Sequence, residues 1–514
     1  MNGAEALART LVACGVDTCF ANPGTSEMHF VAALDRVADF RPVLGLAETV
    51  VGGCADGYAR MSGRPAAALF HCGPGLANGL AALHNARRAH APVVALVGDH
   101  ARAHRLLDPP LAADTEALAR TVSLWVRTVA EAGRIGADAA QAVHAARSAP
   151  GGVATLVVPA DCAWTDGTAP AEALAPAASA AVAPEGVREV ARILRRGEAA
   201  MLLLGGAALL ERGLRAAARV AEASGAALRA PTQVPRMARG RGRPAVDRVP
   251  YVVDQALATL APLRHLVLVG ARAPVGFFAY PGKPSRLWPP DCTVHVLARP
   301  DQDAVAALEA LADELGAVRD PPRIAWGAPP EPGQGPFRPD AFGRTLAALL
   351  PEDAIVCEDA VTSGRALFAH TFDAPPNDWI QITGGAIGFG FPAATGAAIA
   401  CPGRRVVCLQ SDGGGMYSLQ ALWTQARERT DVVNVVFANR RYAILQGELV
   451  ATGARPGRAA AALFDLAPPE LDWVRLAGAL GVEAARVETL EDFADRFRAA
   501  CAVRGPFLIE FRLP

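Results

Sequence analysis

The chain has 514 residues, 52% of them hydrophobic, with a formal net charge of −1 and a pI of about 6.8. At roughly 100–200 residues per domain this length suggests about three domains, and the balanced charge offers no basic face to nucleic acid or an anionic membrane. No apolar run reaches the ~20 residues that span a bilayer, and the N-terminus Met1-Asn2-Gly3-Ala4-Glu5 has no basic n-region, so a cytoplasmic protein is expected.

The first segment alternates strand and helix. A strand over 17–20 runs into the turn Asn22-Pro23-Gly24, then Thr25-Ser26-Glu27, with a helix from about Ser26. A strand over 42–46 precedes Glu48, which opens a helix to about Met61. Another strand over 66–70 ends in His71-Cys72-Gly73-Pro74-Gly75, and a further one covers 92–97. An Ala- and Pro-rich linker follows at 168–184. The second segment has strands over 199–204, leading to Gly205-Gly206, over 265–269 and over 293–297, with loops expected at 239–243 and 277–282. A second linker at 321–339 is dense in Pro and Gly. The third segment repeats the pattern with strands over 354–357, 405–410, 432–437 and 507–511. Short apolar runs alternating with helices predict parallel sheets covered on both faces. The expected fold is α/β, with three doubly wound domains at 1–167, 185–320 and 338–514, the outer two sharing a fold. The ten cysteines form no CxxC pair or metal spacing and are read as small core residues.

Three motifs carry chemistry. The strand over 405–410 runs into Ser411-Asp412-Gly413-Gly414-Gly415, and the next strand ends in Ala438-Asn439-Arg440. A carboxylate and an amide oxygen at neighbouring strand ends can converge at the carboxyl edge of a sheet, where open α/β sheets bind ligands. Mg²⁺ takes such hard oxygen donors and shares them with phosphate oxygens, while the glycines let backbone N–H groups approach a diphosphate. Upstream, Thr383-Gly384-Gly385-Ala386-Ile387-Gly388 enters a helix. In the first segment, Glu48 places a carboxylate at a strand end, followed by Ala55-Asp56-Gly57-Tyr58-Ala59-Arg60. Alone, each has a plain structural explanation: a Gly-rich turn, a helix entry, an acid favoured by the helix dipole.

Together they resemble the thiamine-diphosphate motif, normally written GDG and a later NN, and over essentially the whole chain the benzoylformate decarboxylase and acetolactate synthase branch of that family. Ser411 and Ala438 depart from the motif, and neither departure removes a metal ligand. The resemblance implies pyrimidine-binding, central Rossmann-like and diphosphate-binding domains in that order. It implies Asp412, Asn439 and the carbonyl of Arg441 as Mg²⁺ ligands, and Gly413 and Gly414 against the diphosphate. The Gly385 carbonyl and Ile387 would form the platform that bends the cofactor, and Glu48 would be the carboxylate on the pyrimidine. His71 and Thr25 stand where benzoylformate decarboxylases carry a histidine and a hydroxyl residue; Pro23, Asn78 and Tyr442 match positions lining the site.

Other features pull the substrate assignment both ways. The second histidine of benzoylformate decarboxylases is missing, and Phe278 in Gly276-Phe277-Phe278-Ala279-Tyr280 is expected in its place. Gly98-Asp99-His100 replaces the Gln of acetolactate synthases, which makes Asp99, His100 and His104 further candidates, and Tyr442, Leu445 and Gln446 could shape the pocket. Gly73-Pro74-Gly75 favours the synthase side and His71 the decarboxylase side. The expected function is a thiamine-diphosphate- and Mg²⁺-dependent 2-oxo acid decarboxylase, with or without ligation to an aldehyde or ketone. An acetolactate synthase large subunit-type carboligase and a non-catalytic cofactor-binding homologue are the alternatives. Gly205-Gly206 lacks the dinucleotide fingerprint, so the middle domain is expected to hold no cofactor, FAD being the less favoured option. The resemblance also implies a homodimer or homotetramer with active sites between subunits.

Overall fold

The computed structural model describes residues 1–318 and 328–514. The first part of the second linker, and the last two residues of the expected middle domain, lie outside these. The first segment supplies β1 (Thr18–Ala21), β2 (Arg41–Leu44), β3 (Ala66–His71), β4 (Val93–Asp99), β5 (Trp125–Thr128) and β6 (Val153–Pro159). They form one parallel sheet in the order β2-β1-β3-β4-β6-β5. The middle segment supplies β7 (Ala200–Leu204), β8 (Ala227–Ala230), β9 (Met237–Arg239), β10 (Asp247–Arg248), β11 (His265–Val269) and β12 (Thr293–Ala298). The third supplies β13 (Ile355–Asp359), β14 (Asn377–Gln381), β15 (Val406–Ser411), β16 (Val432–Ala438), β17 (Glu483–Val487) and β18 (Phe507–Arg512).

The middle sheet runs β10-β8-β7-β11-β12 and the third β17-β18-β16-β15-β13-β14-β9. Setting β9 aside, the first and third sheets have the same order of strands counted along the chain, so the two outer units share one topology. In each, the chain turns back across its first strand, so the crevices lie beside β1/β3 and β13/β15, the switch points where such sheets bind ligands. The α/β fold with three parallel-dominated sheets agrees with the sequence expectation.

One element departs from it. Of the loop expected at 239–243, residues 240–243 form a turn, but Arg239 is the last residue of a strand, Met237–Arg239, that pairs antiparallel with β14 at the edge of the third sheet. Arg239 is 1% exposed there, its guanidinium 3.6 Å from the Phe368 ring centroid and 4.8 Å from that of Trp379. A three-residue strand has too little pattern to be read locally; its pairing with β14 and the aromatic slot decide it.

The helix Glu48–Ser62 crosses the helix Gly390–Ala400 at very short range. A Cβ on Gly57 would lie 2.1 Å from the Ala393 carbonyl oxygen, and one on Gly396 would lie 1.9 Å from that of Cys54. Small residues at the crossing therefore let the first and third units share one core, with Val50, Phe70, Phe391 and Trp473 in the same buried cluster. In the middle unit, Gly205 is required by packing: a Cβ there would lie 2.4 Å from the Gly270 carbonyl oxygen.

Candidate active site

The third sheet presents a carboxylate and an amide at adjacent strand ends. β15 and β16 run in parallel with Ser411 opposite Phe437, so Asp412 and Asn439 leave the sheet side by side. Asp412 is 3% exposed; its Oδ1 accepts from Gly413 N (2.8 Å) and its Oδ2 from Arg440 N (2.6 Å). Arg440 adopts a left-handed backbone with φ 58°, which aims its N–H back at Asp412. Asn439 Oδ1 accepts from Arg441 N at 3.1 Å, while the Arg441 side chain is exposed. No salt bridge reaches Asp412 among the described residues, and burial raises its carboxyl above the ordinary range. A buried carboxylate with no cationic partner, next to an amide oxygen, is an all-oxygen donor set that fits a hard divalent cation.

The glycines beside it keep space open. A Cβ on Gly413 would lie 2.4 Å from the Tyr442 ring, and one on Gly414 would lie 2.5 Å from Ser411 Oγ and 3.7 Å from the Ile387 Cβ. Gly413, Gly414, Ile387 and Tyr442 thus gather around Asp412. Gly385 has φ 76° and faces the Phe277 ring, whose Cζ would be 2.7 Å from an added Cβ. The aromatic residue at this platform is therefore Phe277; Phe278, expected in the pocket, is 55% exposed and stacks edge-on against Phe277.

Two buried polar side chains that sequence reasoning missed, Asp359 and Asn85, fix the platform loop together with Arg60 of the helix motif at 55–60. Asp359, at the end of β13, accepts from the N–H groups of Gly388, Phe389 and Gly390 (2.8, 2.9 and 3.3 Å). Burial pushes its carboxyl up to about 6, against the pull of Gln410 and these N–H groups. Asn85 accepts from Gly384 N (2.9 Å) and donates to the Ala386 carbonyl (2.8 Å). Arg60 forms a bidentate buried pair with Asp56 and donates to the Gln381 carbonyl (2.6 Å) and to Thr383 Oγ1 (3.0 Å). For Asp359 and Asn85 the only sequence signal was the presence of polar residues at positions the helical and strand patterns bury.

At the first sheet's edge, Glu48 opens its helix half-buried. Asn22 Nδ2 donates to its Oε1 (3.2 Å) and Asn78 Nδ2 to its Oε2 (3.3 Å). Asn22 lies in the loop after β1 and Asn78 in the helix Cys72–Ala89, so both partners come from the first unit, and Asn78 acts as a brace for Glu48. A Cβ on Gly75 would lie 3.3 Å from Glu48 Oε1 and 3.4 Å from the His71 Cβ, so Glu48 and His71 flank one small residue. His71 Nδ1 lies 3.0 and 3.2 Å from the two carboxylate oxygens of Glu27 and 3.1 Å from Ser26 Oγ. Thr25 and Pro23 are exposed in the preceding turn, and the hydroxyl that meets His71 within the chain is that of Ser26. The stretch from Cys72, expected as a loop, is already the first turn of the helix Cys72–Ala89. Burial pushes the Cys72 thiol up to about 11, so it is a neutral packing group at working pH. Asp99 is 1% exposed and engaged by Arg105, and the His100 and His104 rings pack together at 5.5 Å; this is a structural use of those three candidates.

Two family models match this architecture: the thiamine pyrophosphate enzyme N-terminal TPP binding domain over residues 1–118 and the C-terminal TPP binding domain over 361–511. A Mycobacterium tuberculosis protein named "Putative acetolactate synthase large subunit IlvX" is 52% identical across 100% of this chain and 99% of that protein. The chain belongs to the thiamine pyrophosphate enzyme family. Within this family it is also 30% identical to a Pseudomonas aeruginosa benzoylformate decarboxylase, across 96% of each chain. A solved structure of a thiamine-diphosphate-dependent 4-hydroxybenzoylformate decarboxylase from Rhodococcus jostii superposes with a TM-score of 0.86 at 27% identity, covering 100% of this chain and 99% of that one. Thiamine diphosphate is accordingly the cofactor of this family member, whose relatives divide between decarboxylases and acetolactate synthases. Among the described residues no helix is long and apolar enough to cross a membrane.

Proposed function

We propose that this protein is a thiamine-diphosphate- and Mg²⁺-dependent decarboxylase of a 2-oxo acid, benzoylformate decarboxylase-like in its chemistry. The observation that carries the reading is the pair of Glu48 and His71 on one sheet edge, flanking Gly75. Replacing a departing CO₂ by a proton needs a nearby group that can take up and give back a proton, and a part-exposed imidazole can do both. Asp412, Asn439 and the Arg441 carbonyl would hold the metal, and Gly413 and Gly414 would lie against the diphosphate beneath Ile387 and Tyr442. Glu48, held by Asn22 and Asn78, would face the pyrimidine, and Gly385 would complete its seat. Bound thiamine diphosphate supplies the electron sink for loss of CO₂. Because the hydrogen-bond partners of Glu48 among the described residues come from the first unit, we place the working site between two subunits of a homodimer or homotetramer. A second reading, an acetolactate synthase-type carboligase taking a carbonyl acceptor, is favoured by the 52% identical relative.

The test is CO₂ release from aromatic and aliphatic 2-oxo acids with thiamine diphosphate and Mg²⁺, beside a pyruvate-to-acetolactate assay. Glu48→Gln is expected to lower cofactor-dependent turnover by about 10²–10⁴-fold. Acetolactate from pyruvate with no free aldehyde product would select the carboligase reading. No turnover of any donor, with cofactor bound, would leave a non-catalytic homologue.

A further inference from the structure

We propose that Glu27 is a positioning residue for His71: its buried carboxylate holds a proton on Nδ1 and so presents Nε2 as the nitrogen that exchanges protons with substrate. The inference rests on the role given to His71 above and names the group that sets its tautomer.

The Glu27 side chain is 2% exposed and that of His71 26%. Every polar oxygen around Nδ1 is an acceptor or is committed as a donor elsewhere. Both Glu27 oxygens lie within 3.2 Å of Nδ1, and the Ser26 hydroxyl donates to Glu27 Oε1, which turns its lone pairs toward the ring. A bare Nδ1 would set a lone pair against a carboxylate oxygen, so Nδ1 must carry the proton. The neutral ring then has its lone pair on Nε2 and can accept a proton there; the imidazolium, stabilised by Glu27, can return one.

The pocket is shaped for this pair. Gly24 N donates to Glu27 Oε2 at 2.7 Å, fixing the carboxylate from the opposite side. A Cβ on Gly98 would lie 1.7 Å from Glu27 Oε1, and one on Gly24 would lie 2.3 Å from the imidazole ring. Side chains at either position would drive the two groups apart. The other titratable groups facing His71 are few. Cys72 Sγ, 3.9 Å from Nδ1, belongs to a thiol kept neutral by burial. Behind it stands the Asp99–Arg105 pair, whose charges offset, and Glu48 lies across Gly75. Among the described residues, Glu27 is thus the one carboxylate in hydrogen-bond contact with the ring.

The experiment is ¹⁵N NMR of the histidine-labelled protein, with the His71 signals assigned by difference from His71→Asn, in the wild type and in Glu27→Gln. In the wild type the neutral His71 should be protonated at Nδ1. In Glu27→Gln, whose amide can donate as well as accept, the neutral ring should become a mixture of Nδ1–H and Nε2–H tautomers. kcat/KM should fall with it, and Glu27→Asp should restore part of both. An Nε2-protonated neutral ring in the wild type overturns the proposal whether or not any variant folds, as does a tautomer unchanged in Glu27→Gln. Because the NMR readout needs no turnover, the expected tautomer without CO₂ release would overturn only the decarboxylase reading.

Discussion

Asp359 is sealed from water at the end of β13, yet its Oδ2 gathers three successive N–H groups of the platform loop and the Gln410 amide at 3.0 Å. Among the described residues its Oδ1 has no partner, nor has the buried Gln410 Oε1. Burial outweighs the donors and raises the carboxyl from an ordinary 3.8 to about 6. The folded protein therefore binds this proton more tightly than the unfolded chain. The resulting stabilisation is full below about pH 4 and is lost as pH rises through about 6, roughly 3 kcal/mol over the window. Asp359→Asn cannot ionise and should lack this decline: its urea midpoint relative to wild type should rise between pH 4 and 6.5 and stay level above. Parallel midpoints across that range would show that the carboxyl does not take up the proton on folding. Nothing local marks Asp359 in sequence; its buried environment depends on β15 and the loop at 388–390 arriving beside it.

Secondary elements were legible where apolar runs were long. The strands over 199–204, 265–269 and 432–437 match β7, β11 and β16 to within a residue at either end, since fully buried parallel strands read as unbroken apolar stretches. Glu48 as the first residue of its helix was legible for the same reason. The strands Trp125–Thr128, Asn377–Gln381 and Glu483–Val487 were not, because polar residues interrupt each of them. What the pattern could not show is how closely the helices Glu48–Ser62 and Gly390–Ala400 approach, which rests on Gly57 and Gly396. Gly57→Ala should cost on the order of 1–3 kcal/mol through overpacking and, by pushing Glu48's helix off its partner, weaken thiamine diphosphate binding. Urea titration and cofactor titration measure the two effects; an unchanged midpoint would mean the crossing relaxes freely.

At the scale of the whole molecule, the repeated strand order puts Glu48 and His71 on the edge of one sheet and Asp412 and Asn439 on the corresponding edge of the other. If each working site combines the first unit of one subunit with the third unit of its partner, two inactive variants can complement. Glu48→Gln and Asp412→Ala, each expected to be inactive, should regain roughly a quarter of wild-type activity when dissociated and reassembled in equal amounts, since half the dimers are mixed and each has one intact site. No recovery, with mixed dimers shown by mass, would place both halves of the site within a single chain.

The residues proposed to meet cofactor are readable from sequence because their chemistry is local. A strand end, a glycine that lets backbone approach and a carboxylate or amide at the next position are adjacent in the chain, so Asp412–Gly414, Asn439, Gly385–Ile387 and Glu48 stood out together with the α/β alternation. The residues that hold those groups in place are brought in from distant segments: Asp359 and Asn85 to the platform loop, Arg60 to β14, β9 to the far edge of the third sheet, Phe277 to Gly385. Their roles arise from burial and from the need to pair every sealed polar group. That need exists only once the sheets have packed against each other, and so the tertiary structure alone decided them.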